Sequence, residues 1–248
     1  MARSLLVRGL ITGAIAGVLA FVFAYVFGEP QIDKAIAFED HLNAINHVPA
    51  EPIIVSRGTQ STLGLFTGTF VMGVALGSIF SLVFAWAYGR MANLSARATA
   101  ATLALGAYLA ITLVPATKYP PTPPTIGSPD TIGRRTALFF AMIAISLLAT
   151  VAAARVRRQL VPRLGSWNAA IVAGGLFVAL IVIAEVILPS ISETPRGFSP
   201  DVLWHFRIAS LGINATLWAS IGLIFGALAE RVIEPREARQ PVVARPTA

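Results

Sequence analysis

This sequence predicts an all-α, polytopic integral membrane protein with six transmembrane helices and both termini on the inner side. Three observations carry that prediction. Hydrophobic residues make up 56% of the 248 and charged residues only 12%, about half the share of a soluble domain. The apolar residues fall into six runs, each close to the ~20 residues that cross a ~30 Å hydrocarbon core. The connections between the runs carry opposite charge balances on alternate sides. Mean hydropathy is +0.73, so lipid is the solvent for most of the chain.

The first run covers residues 10–27 and follows Arg3 and Arg8. A basic start of this kind resembles a secretory signal, but the apolar stretch is longer than a usual signal core, so an uncleaved helix is expected. The first outer loop, residues 28–61, places Ile32, Ala35, Phe38, Leu42 and Ile45 at three- and four-residue steps. That spacing predicts an amphipathic helix on the outer surface, stopped by Pro49 soon after His47. The second run, 62–88, is long enough to tilt or to leave the lipid.

The third run, 99–115, leads into KYPPTPPTIGSPDTIG, with five prolines in sixteen residues. Proline lacks an N–H and fixes φ, so helix is forbidden there and an extended, turning outer loop is expected. Asp130 is placed to cap the fourth run, 136–154, with Arg134 one turn further on. The fifth run is 169–188. A short third outer loop with Trp204, His205 and Arg207 precedes the sixth run, 208–228. Residues 1–232 are expected to form one six-helix domain, followed by a flexible cytoplasmic tail over 233–248.

With the N-terminus inside, twelve of the 19 Lys and Arg residues lie on the inner side and seven on the outer. Eight of the 12 acids, among them Glu29, Asp33, Glu39, Asp40, Glu51 and Asp130, lie outside, and Glu230, Glu234 and Glu237 lie inside. The positive-inside rule favours this orientation. It also accounts for the net charge of +7 without a nucleic-acid partner.

Glycines recur every four residues: Gly9, Gly13 and Gly17, then Gly64/Gly68, Gly73/Gly77 and Gly222/Gly226. On a helix these share a side and let backbones approach, which predicts tight packing inside the bundle ahead of a contact with a partner subunit.

The chemistry is bounded mainly by absences. There is no cysteine, hence no disulfide or thiolate chemistry. No P-loop, no H-E-x-x-H and no G-x-S-x-G occurs, so no catalytic residue and no resident cofactor is expected. The candidate metal ligands are Asp40, His41, His47, His205 and Glu185. Asp40, Asn43 and His47 share a helical face, with His41 nearly opposite. Asp40 and His47 stand about 10 Å apart along a straight helix, too far to chelate one ion. The stripe therefore reads as an acidic entry surface. Glu185 is the one acid inside an apolar run, with Arg207 and Arg134 as available partners. Asn214 in the sixth run is expected to hydrogen-bond between helices.

Four segments, GEPQIDKAIAFED, VSRGTQSTLGLFTGT, KYPPTPPTIGSPDTIGRRT and FRIASLGINATLWASIGLIFG, resemble the CbtA family of probable cobalt-transporter subunits. The likeness runs from residue 28 to 226, and the proline loop ending in D-T-I-G-R-R is its most specific piece. Glu29, Glu39, Arg57, Gln60, Pro120, Pro124, Gly127, Asp130, Thr131, Arg134, Arg135 and Arg207 match the family pattern. The resemblance implies a multi-pass subunit of a Co²⁺ uptake system in a prokaryotic inner membrane, feeding cobalamin synthesis. It also implies a small one-span partner, CbtB, with a histidine-bearing tail, and Co²⁺ as transported substrate. Two other readings share the architecture: a non-transporting membrane scaffold, and a carrier of another divalent ion such as Ni²⁺.

Overall fold

The apolar runs form helices, several of which extend well beyond them. The computed structural model describes residues 2–49, 52, 54–90, 94–124 and 126–233. Its helices are α1 (Ala2–Phe23), α2 (Glu29–Ile45), α3 (Arg57–Thr59), α4 (Leu65–Ala87), α5 (Ala96–Ala107), α6 (Val114–Lys118), α7 (Ile132–Ile187) and α8 (Pro200–Ile233). The described residues include no strand. Glu51, Thr125, Glu234, Arg236, Glu237, Arg239 and Arg245, with the rest of the expected tail, lie outside the described residues.

Among the described residues, five continuous helical stretches are long and apolar enough to cross a membrane. Three are joined by widened π turns, at Ala24–Gly28 between α1 and α2, Gln60–Gly64 between α3 and α4, and Tyr108–Leu113 between α5 and α6. The helix expected in the first outer loop is thus a continuation of the first apolar run. Its Ala35 is buried in a cluster with Ile126 and Phe198, so its inner stripe packs on the proline loop and the start of α8.

The fourth stretch, α7, contains both the fourth and the fifth apolar run. Straight, its 56 residues would measure about 84 Å. It is not straight. Gly165 has φ 75° and ψ 167°, outside the helical region, three residues after Pro162. Met142 and Ala149 share a buried cluster with Ile181 and Ala184, and Arg135 lies beside Glu193. Those neighbours require the segment to double back at Gly165. The tip of the resulting hairpin carries Arg155, Arg157, Arg158 and Arg163.

The centre of the molecule is α1, α4, α5 and α8. Gly9, Gly13 and Gly17 of α1 lie backbone to backbone against Thr69, Gly73 and Gly77 of α4. Gly222 and Gly226 of α8 make room for the methyl groups of Ala104 and Ala100 of α5. The glycine spacing therefore serves packing within the bundle at those positions; Gly68 faces open space. Phe80 and Phe84 meet Phe225 edge to face, at 5.4 and 5.0 Å between ring centres. At the end where α1 begins, Arg97 pairs with Glu230 at 2.7 Å and Arg8 Nε donates to Leu228 O at 3.1 Å. The α7 hairpin leans on this core chiefly through α6 and the π turn before it. Its large aliphatic residues, such as Leu148, Val178 and Val186, are exposed, as lipid-facing residues would be.

Candidate functional site

The end of the bundle opposite the arginine-rich hairpin tip is held together by polar side chains, and the proline loop is its organiser. Lys118 begins the loop and reaches back to Glu185 O at 2.7 Å and Ser190 Oγ at 2.9 Å. The Tyr119 hydroxyl donates to Pro189 O at 2.8 Å. Pro123 is buried, and the Ile126 N–H turns back onto Pro124 O at 2.6 Å. Gly127 then takes φ 119°, and a Cβ there would stand 2.7 Å from Arg135 Nη1. Glycine at 127 is needed both for that backbone angle and for the guanidinium that rests on it.

Glu193, in the loop before α8, ties the ring shut. Its Oε2 accepts from Ser128 N at 3.0 Å and from Thr131 Oγ1 at 2.7 Å. Arg135 Nε stands 3.6 Å from the same oxygen, a charge contact too long for a hydrogen bond. Arg135 Nη2 donates to Ser128 O at 3.3 Å. The Thr131 and Ser128 hydrogen bonds, with the Arg135 charge behind them, hold the Glu193 carboxyl below the usual carboxylate range.

Beneath this ring lies a cavity of about 420 Å³. Arg135, Arg207, Glu193, Thr112, Asn214 and Phe139 are among its walls. Thr112 comes from the π turn after α5, and such turns are frequent at functional sites. Arg207 Nε is buried and has no hydrogen-bond partner among the described residues. The cavity therefore holds two guanidinium groups against one carboxylate that is already engaged.

A second polar cluster joins α2 to the start of the next stretch. Arg57 donates through Nη2 to the buried Glu29 and through Nε to Asp33 Oδ1 at 3.0 Å. Gln60 Nε2 donates to Val55 O at 2.9 Å. Of the residues matching the family pattern, then, Glu29 and Arg57 form one pair. Gly127, Thr131 and Arg135 form the loop ring, and Pro120, Arg135 and Arg207 line the cavity. Glu39 sits on α2, and Pro124 and Arg134 are exposed.

The candidate metal ligands take other places. Among the described residues no three His, Asp or Glu side chains gather as a metal site. Asp40 and His41 are exposed on α2. That helix ends at Ile45, and His47 turns out of the Asp40 stripe with φ 53°. His47 N donates to Ala44 O and Val48 N to Asn43 O, so His47 occupies the left-handed closing position of the helix. His205 is exposed, with Nδ1 2.7 Å from Asp201 O. Glu185 accepts from Thr117 Oγ1 at 2.5 Å, not from an arginine.

Two further expectations are corrected. Asp130 does not cap the fourth run; it is exposed in a 3₁₀ turn, and Thr131 holds the cap position of α7 with no side-chain cap bond. The Thr131 hydroxyl is drawn to Glu193 instead. Asn214 bonds to Ser210 O within its own helix, not between helices. Sequence reasoning missed Glu193 as the hub of the ring, because its hydrogen-bond partners lie more than 60 residues away.

A family model described as "Probable cobalt transporter subunit (CbtA)" matches residues 2–230. No curated protein and no solved structure matches the chain.

Proposed function

Because the chain belongs to the CbtA family of probable cobalt transporter subunits, we propose that it is the membrane subunit of a Co²⁺ uptake system in a prokaryotic inner membrane. The family match over almost the whole chain is the observation that carries this reading. The same match points away from an enzyme. In the proposed arrangement α7 crosses twice, the chain makes six crossings, and both termini face the cytoplasm. The proline-loop end is then outside and the four-arginine hairpin tip inside, as the positive-inside rule favours.

Among the described residues the candidate metal ligands are not gathered, so selection falls to exposed groups such as Asp40, His41, His47 and His205 acting with a small histidine-bearing partner of the CbtB kind. Cobalamin synthesis is the proposed destination of the metal. Membrane potential favours inward movement of a dication by about 4.6 kcal/mol per 100 mV.

The test is Co²⁺ entry into liposomes holding this chain, the partner, or both. Entry that requires this chain supports a transport subunit. Equal entry with the partner alone would make this chain a scaffold, the second reading. Competition by Ni²⁺ at equal concentration would assign the wider metal range.

A further inference from the structure

The cavity under the proline loop is a poor place for a free divalent cation. Among the described residues its walls hold no histidine, and their one carboxylate, Glu193, is committed to Ser128, Thr131 and Arg135. What it offers is positive charge. Arg135 has Glu193 beside it, whereas Arg207 has no hydrogen-bond or ion-pair partner among the described residues, and its Nε is shielded from solvent. A shielded N–H left without an acceptor is costly, and the half-buried guanidinium that carries it invites a counter-charge. Guanidinium groups match carboxylate and phosphate oxygens in two-pronged geometry. Around them stand hydroxyl and amide groups, Thr112, Thr136 and Asn214, and an apolar wall that includes Phe139. At about 420 Å³ the space is that of a small-molecule site.

We propose that this cavity is an oxyanion site, in which Arg207 and Arg135 hold a carboxylate or phosphate group and the apolar wall receives the rest of the ligand. Two sources can supply that group: the headgroup of an anionic lipid, or an oxyanion dissolved on the proline-loop side. The site does not depend on the cobalt reading, and its test uses no cobalt.

The experiment is thermal unfolding of the full-length chain. In detergent it is titrated with inorganic phosphate and with succinate against chloride at equal ionic strength. In nanodiscs, phosphatidylcholine alone is compared with phosphatidylcholine plus phosphatidylglycerol. A saturating oxyanion should raise the midpoint by on the order of 5 °C. A rise with the soluble anions assigns a dissolved ligand, and a rise with phosphatidylglycerol alone assigns a lipid.

Arg207→Gln should abolish the rise, and without oxyanion it should unfold no lower than wild type, because it removes an unpaired charge. An arginine that served only packing would instead lower that midpoint. Should Arg207→Gln fail to fold, Arg207→Lys carries the test, with binding about tenfold weaker as the two-pronged geometry is lost. No rise with any probe, an equal rise in the variants, or a loss of ligand-free stability in Arg207→Gln would overturn the proposal.

Discussion

Thr131 Oγ1 donates to Glu193 Oε2 at 2.7 Å, joining the last turn of the proline loop to a residue 62 positions away. The same oxygen takes the Ser128 N–H. One carboxylate thus closes the loop that roofs the cavity and fixes the two ends of the α7 hairpin side by side.

Glu193→Gln should therefore lower the thermal midpoint at neutral pH, and the deficit should depend on pH. The fold favours the ionised carboxylate, whose folded pKa lies below its ordinary 4.5. Its contribution is complete above the ordinary value and is lost as pH falls through the lower, folded one. Midpoints of wild type and variant should converge as pH falls through that lower, folded value. A constant gap down to pH 3 would show that the charge is not what holds the loop.

Arg57→Ala should leave the buried Glu29 without its cation. Truncating one member of a shielded pair is costly, and with Arg57 about a third exposed the loss should be about 1–3 kcal/mol. Exchanging the charges, Glu29→Arg with Arg57→Glu, should recover part of it. Chemical unfolding of the two variants measures both effects; no recovery would mean that geometry, not charge pairing, is decisive.

Gly9→Ala and Gly68→Ala should behave oppositely. A Cβ on Gly9 would stand 2.5 Å from Gly77 O and 2.6 Å from Ser81 Cβ, whereas one on Gly68 meets nothing within 4 Å. The first should cost about 1–3 kcal/mol by overpacking and the second should be near neutral. Equal stability in detergent would contradict the close approach of α1 and α4.

His47 and His205 should act independently on cobalt capture. Asp40 and His47 part company where α2 ends, and no three-ligand site forms among the described residues. In an uptake titration at fixed expression, His47→Gly and His205→Ala should raise half-maximal Co²⁺ by factors that multiply, to within about twofold. Glycine is the cleaner replacement at 47, since it suits the positive φ. A double-variant loss far above that product would reveal one shared site.

Topology can be read directly, because the chain has no native cysteine. Ile45→Cys and Arg196→Cys should react with an impermeant thiol reagent added outside, and Gln159→Cys only after the inner face is opened. Outside labelling of position 159 would overturn the six-crossing arrangement.

Helical character, the long apolar stretches and the family were legible in the sequence, because hydropathy and glycine spacing are local signals. The glycine stripes of α1 and α8 packed as their spacing suggests. What was not legible depends on distant partners. Nothing near Asp130 tells that Thr131, not Asp130, is the residue engaged, since Glu193 lies in another loop. Nothing near Glu185 selects Thr117 over an arginine. His47 reads as part of a helical stripe until the chain's exit from α2 turns it through a left-handed angle. Arg207 matched a pattern, but only the fold reveals that it lines a cavity with no ion-pair partner of its own among the described residues.

The glycine seam between α1 and α4 bears on how such a protein could alternate between two open states. At Gly9, Gly13, Gly73 and Gly77 main chain rests on main chain, so no side chain there can swing to a second rotamer. Sliding by one residue would drive a Cβ into a carbonyl. The two helices are consequently a single stiff post. The α7 hairpin, which leans on α6 and the π turn before it beside the roofed cavity, has no such seam among the described residues and is the element freer to shift.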